Sequence, residues 1–226
     1  MRFELMYDSF FKILKGVPLT LEVVFISTFL GLGLAIIVAL MRISEKKRYN
    51  VPAYSFIYLI RGTPLLLQLY FVYYGIGQFV FVRESFLWVV LKEPFWCGVI
   101  TLTISTGAYS AEIIRGGIMS VSSGYIESGK ALGLSKFSLF IKIIMPITIR
   151  QALPAYGNEL ILMVKASSLI SIVTLMEITG IARTIISKTY APVEIFLVAG
   201  SIYLFINFII TQAIRIAENK IKIVKI

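Results

Sequence analysis

The sequence predicts an all-α membrane protein: five transmembrane helices and one polar helical elbow, forming a single domain over residues 1–226. Three observations carry this. Apolar residues make up 58% of the chain, charged residues only 15%, and mean hydropathy is +0.88. A soluble domain carries about a quarter charged residues. Runs of roughly 20 mostly apolar residues recur, the length that crosses a hydrocarbon core of about 30 Å. Lipid offers no partner to unpaired backbone groups, so such runs must be helices.

The elements follow in order. Residues 1–16 place Phe3, Met6, Phe10, Ile13 and Leu14 near one helical face. Glu4 and Asp8 interrupt the positive region of a signal peptide, and no small-residue cleavage site follows. An interfacial helix on the outer leaflet fits better. The spans are read at about 17–41, 51–77, 94–115, 151–173 and 195–215. Gly62 and Pro64 are expected to break the second span. The break serves either a packing kink or backbone contact with a polar solute. Tyr70, Tyr73 and Tyr74 read as an interfacial belt.

Charge fixes the orientation. Arg42, Lys46, Lys47 and Arg48 follow the first span. Arg115, Lys130, Lys136, Lys142 and Arg150 surround the connection 116–150, and Arg215, Lys220, Lys222 and Lys225 end the chain. Only Glu45, Glu127 and Glu218 oppose them. The positive-inside rule therefore places the long connection and the C-terminus in the cytoplasm, and five spans put the N-terminus outside. The net charge of +10 is an orientation signal and not a nucleic-acid footprint. The chain has no histidine and one cysteine, Cys97, so neither a disulfide nor a metal framework is expected. No phosphate-cradling GxxxxGK[ST] occurs, so the chain is not expected to bind ATP itself.

The connection 116–150 is the polar exception in an apolar chain. Ser122 or Ser123 can cap a helix starting near Gly124, Gly133 ends it, Ser135 can cap a second helix, and Pro146 stops that one. Glu127 lies in the first turns, where the helix dipole favours a carboxylate. From pattern alone, such an elbow either lies on lipid headgroups or docks onto a protein. Glu127-Ser128-Gly129-Lys130 with Gly133, then Ile144-Met145-Pro146, resembles the coupling loop of permease subunits in ATP-binding-cassette importers.

Further motifs extend the likeness. They are Arg61-Gly62-Thr63-Pro64 with Gln68, Ala108-Tyr109-Ser110-Ala111-Glu112 with Arg115-Gly116-Gly117, and Ala131-Leu132-Gly133. Gln151-Ala152-Leu153-Pro154, Gly157-Asn158-Glu159, and Lys165 with Ser167-Ser168-Leu169 follow in the right order. The chain is similar to the polar amino-acid (histidine/glutamine/arginine) permeases of type I ATP-binding-cassette importers. That resemblance implies a multi-pass protein of the bacterial cytoplasmic membrane working by alternating access. It implies a cytoplasmic ATPase dimer that carries ATP and Mg, an extracytoplasmic amino-acid-binding protein, and a second permease subunit. A homodimer is favoured because this one chain holds every motif. Glu127, Ser128, Gly129, Lys130 and Gly133 are then the ATPase-coupling residues.

Ionisable residues inside apolar runs are costly and face the bundle interior or a watered cavity. Glu22, Arg61, Glu112, Glu159 and Lys165 are of this kind. The alternation of the spans sets Arg61, Glu112 and Glu159 nearer the cytoplasmic side. Arg61 is expected to pair with Glu112 or Glu159, while Glu112 can pair instead with Arg115, three residues on. Arg61, Arg115 and Lys165 therefore stand as structural pairs or gates. Glu22 lacks a local partner and wants either Lys165 or a substrate cation. With Glu159 it would make the cavity acidic and favour cationic amino acids. Gln68, Glu112, Ser167 and Ser168 complete the candidate substrate set, although the two serines can equally bond between helices. The alternatives are an ion-coupled secondary transporter, which usually shows inverted repeats that are not evident here, and a membrane enzyme, for which no nucleophile motif is present.

Overall fold

The computed structural model describes residues 2–221, and every regular element among them is helical. Lys222 and Lys225 lie outside the described residues. Four helical stretches are long and apolar enough to cross a bilayer: Val17–Arg42, Pro94–Met119, Lys136–Val173 and Pro192–Lys220. A fifth crossing is available if the bent pair Lys47–Gly62 and Leu65–Gln78, whose halves meet at 103°, counts as one.

The helices are α1 (Phe3–Leu14), α2 (Val17–Arg42), α3 (Lys47–Gly62), α4 (Leu65–Tyr70), α5 (Val80–Arg83) and α6 (Trp88–Leu91). They continue with α7 (Pro94–Met119), α8 (Ser123–Ala131), α9 (Lys136–Leu139), α10 (Met145–Ala166), α11 (Ile178–Thr189) and α12 (Pro192–Ile221). α2 and α7 run side by side in the same direction and form the central pair. Small residues let them touch: a methyl at Gly107 would stand 2.7 Å from Leu34 Cδ2, and one at Gly31 would overlap the Thr106 side chain. Ser27 Oγ donates to Val99 O at 3.3 Å across the same seam. α10 packs antiparallel on α7, and α12 closes the bundle behind α10.

Chain direction sorts the connections into two ends. The α2–α3 corner and the elbow around α8 share one end. α1, α5, α6 and α11 share the other. At that far end Glu177 is fully buried. It caps α11 by accepting from Gly180 N–H at 2.8 Å and also accepts from Tyr203 Oη at 2.7 Å. Thr20 Oγ1 accepts from Ile178 N–H at 3.4 Å, tying α2 to the same knot.

Several sequence expectations change. Pro146 does not stop a helix. A π-helical turn at Phe140–Ile144 precedes it, and Pro146 falls in the first turn of α10, where a missing N–H is tolerated. The expected second elbow helix and the fourth span therefore form one continuous helical stretch, Lys136–Val173. Ser122 occupies the N-cap of α8, yet its hydroxyl makes no capping bond, while Ser135 does accept from Ser138 N–H at 3.3 Å. α1 buries Ser9 and Ile13 and exposes Phe3, Tyr7, Phe10, Phe11 and Leu14, so only the Ile13 edge of the expected apolar face packs on the bundle. α11 was not anticipated, because it is too short and polar to register as a span.

Candidate functional site: a helix break between two cavities

Pro64 has no N–H and disfavours helical geometry in the residue before it. Thr63 is accordingly extended, at φ −116° and ψ 144°, and α3 ends at Gly62. Helix ends leave carbonyls without partners. Gln68 supplies them: its Nε2 donates to Ile60 O at 2.8 Å, Thr63 O at 3.2 Å and Thr63 Oγ1 at 2.9 Å. Thr63 Oγ1 in turn donates to Leu59 O at 2.9 Å. Gln68 thus staples the break, which a substrate-binding role alone did not anticipate. Its Oε1 remains buried without a hydrogen-bond partner.

Beside the staple lies a cavity of about 250 Å³. Thr63 and Gln68 line it from the break, Ser105 and Tyr109 from α7, and Glu159 from α10. Ile60, Leu65, Leu162, Met163 and Ala166 supply apolar wall. Glu159 is 6% exposed. No ion pair within 4.0 Å reaches it among the described residues. A buried, unpaired carboxylate in an apolar wall is an expensive arrangement.

A second cavity of about 420 Å³ lies toward the elbow end, lined by Arg42, Tyr54, Ile57, Tyr58, Arg61, Gly62, Tyr109 and Glu112. Tyr109 lines both cavities. Here the expected pairing resolves. Glu112 is held by Arg115 through contacts of 2.8–3.0 Å, and Arg42 Nε approaches it to 3.9 Å. Arg61 pairs with neither Glu112 nor Glu159; its guanidinium lies 5.0 Å from the Tyr109 ring centroid.

The remaining candidates lie elsewhere. Glu22 emerges on the exposed face of α2 beside Leu21 and Phe25 and lines neither cavity. Lys165 is exposed and unpaired among the described residues, so it meets neither Glu22 nor Glu159. Ser167 Oγ and Ser168 Oγ each donate at 2.7 Å to carbonyls of their own helical segment, Val164 O and Lys165 O. The sequence did not mark Ser105, Tyr109, Arg42, Tyr54 and Tyr58 as site residues, yet they line the cavities. Tyr109, one helical turn before Glu112 in a quoted motif, was the available signal.

The elbow is folded back on itself. Gly129 is buried, and a methyl there would collide with Leu139 and stand 2.8 Å from Ile143 Cδ1. Gly133, at φ +74°, turns the chain, and Leu134 N–H bonds back to Gly129 O at 3.1 Å. Glu127, Ser128 and Lys130 remain exposed. So do Tyr125, Leu132 and Phe137, which gives the elbow an apolar outer surface as well as a charged one.

Residues 31–223 match the family described as binding-protein-dependent transport system inner membrane component. The chain belongs to this family. It is 49% identical over 219 residues to the nopaline transport system permease protein NocM of Agrobacterium fabrum, covering 96% of this chain and 91% of that one. It is 38% identical over 206 residues to the histidine/lysine/arginine/ornithine transport system permease protein HisM of Escherichia coli strain K12, covering 91% and 87%. A solved amino-acid ATP-binding-cassette transporter superposes with a TM-score of 0.86 at 32% identity over 97% of this chain and 99% of that one. The chain is therefore the permease subunit of an amino-acid importer of this class, a multi-pass inner-membrane protein. ATP hydrolysis belongs to a separate subunit, and family membership implies ATPase and binding-protein partners.

Proposed function

We propose that this importer carries cationic amino acids and that the cavity at the helix break holds their cationic group. One observation carries the reading: Glu159 is almost fully buried, lacks an ion pair among the described residues, and lines a cavity. A solute ammonium or guanidinium supplies the missing countercharge. The similarity to permeases named for nopaline and for histidine, lysine, arginine and ornithine supports it.

In this reading the elbow end is cytoplasmic, the chain crosses five times, and the N-terminus lies outside. The basic residues of the elbow end support that orientation. Glu127, Ser128 and Lys130, with Tyr125, Leu132 and Phe137, face the ATPase, which carries ATP and Mg. A second permease copy completes the path, and the binding protein delivers solute to the outer face. ATP binding shifts the bundle between two states by differential affinity. Ion-gradient-driven transport finds no support in the family match.

Uptake into proteoliposomes tests the site. Glu159→Gln loses most arginine and lysine transport, while Glu22→Gln keeps it; unchanged transport by Glu159→Gln refutes the reading. The elbow is tested separately. Glu127→Arg uncouples the ATPase activity from solute, and full coupling in that variant removes the docking assignment.

A further inference from the structure

We propose that the second cavity is a carboxylate compartment of the same transport path, with Arg61 as its ligand. The proposal rests on Glu159 holding the cationic end of the solute and extends it to the other end of the molecule.

Arg61 sits in the last turn of α3, in the first half of the bent pair that offers a fifth crossing. Among the described residues no carboxylate lies within 4.0 Å of it. A guanidinium so placed requires a countercharge or a watered cavity. Its contact with the Tyr109 ring, at 5.0 Å, does not use up its donors. Stacking on an aromatic face leaves the in-plane N–H fork free, and that fork matches a carboxylate with two parallel bonds.

The surrounding charge points the same way. Glu112 is the one carboxylate lining this cavity, and Arg115 already holds it through contacts of 2.8–3.0 Å. Arg42 also lines the cavity, donates to Asn50 Oδ1 at 3.0 Å, and approaches Glu112 Oε1 to 3.9 Å through Nε. The local balance is positive, and donors remain unused. The volume of about 420 Å³ lies in the range of small-molecule sites.

Tyr109 lines both this cavity and the one containing Glu159. An amino acid lying along Tyr109 meets an acidic wall with its side-chain cation and a basic wall with its α-carboxylate. The pair of cavities then recognises both charges that define the solute class.

The test compares ligands as well as variants. Labelled L-arginine is bound to the assembled permease–ATPase complex in detergent and displaced by L-arginine or by L-argininamide, which lacks the carboxylate charge. Wild type should prefer arginine by roughly tenfold or more, the scale of one charge-assisted bond. Arg61→Gln should still bind the amide but lose the preference, and Arg61→Lys should retain part of it. Equal competition by both ligands in wild type overturns the proposal, as does an unchanged preference in Arg61→Gln. Glu159→Gln separates the two readings. Its loss of both ligands, with the preference intact in Arg61→Gln, sinks only the carboxylate compartment; its undiminished binding of both sinks the Glu159 site itself.

Discussion

Glu177 and Glu159 are both buried carboxylates in the same bundle, and the protein treats them in opposite ways. Glu177 is fully buried and spends its oxygens on the protein, taking Gly180 N–H at 2.8 Å and Tyr203 Oη at 2.7 Å. It caps α11 and joins α11 to α12 and α2. Glu159 caps nothing, forms no ion pair among the described residues, and lines a cavity. Burial alone does not identify a binding group. What separates the two is whether the surrounding structure has already answered the charge.

The sharpest way to break this comparison is to remove Glu177. Glu177→Ala leaves Gly180 N–H and Tyr203 Oη without their acceptor and should cost about 3 kcal/mol of stability. Thermal unfolding in detergent reads this directly, and the material that folds should transport normally. Glu159→Gln should do the reverse. Its melting temperature stays near wild type because the amide is isosteric, while uptake of cationic amino acids falls about tenfold or more, as expected for a lost charge-assisted contact. If both variants lose stability equally, the distinction between them collapses.

The staple gives a smaller effect. Gln68→Leu removes the donors that hold Ile60 O and Thr63 O and should cost about 1–2 kcal/mol. It should also weaken solute binding, because the cavity wall depends on the break geometry. A purely structural staple would lower the melting temperature and leave affinity unchanged.

The smallest effect is in pH. Burial raises the Glu177 carboxyl above its ordinary 4.5, against opposing hydrogen bonds from Thr179, Tyr203, Gly180 and Thr20. The folded protein then holds this proton more tightly than the unfolded chain. Its stabilising contribution is complete below the ordinary value and is lost as pH rises through the raised one. Wild type should therefore lose melting temperature relative to Glu177→Gln as pH rises from 4.5. A constant difference would mean that Glu177 does not titrate in that interval.

The legibility of the two carboxylates in the sequence differs for a physical reason. Glu159 stands in an apolar run, where hydropathy makes any charge conspicuous, and the Gly62–Pro64 break beside it follows from proline's missing donor. Both were readable. Glu177 lies in a short connection, where a glutamate attracts no notice, and its second partner, Tyr203, is 26 residues away. Glu22 misled for the complementary reason. It too stands in an apolar run, but hydropathy does not tell which side of a helix faces the cavity. Pro146 misled because a local π-helical turn absorbed its missing hydrogen bond. Periodicity and punctuation identify elements and breaks; which side chains meet is decided by packing between helices distant in sequence.

The most direct measurement is a structure of the assembled transporter with L-arginine bound. The account predicts the solute in the cavity at the helix break, its guanidinium within hydrogen-bond distance of Glu159. A solute held with its cationic group away from Glu159, for example against Glu22 on the outer face of α2, would contradict it.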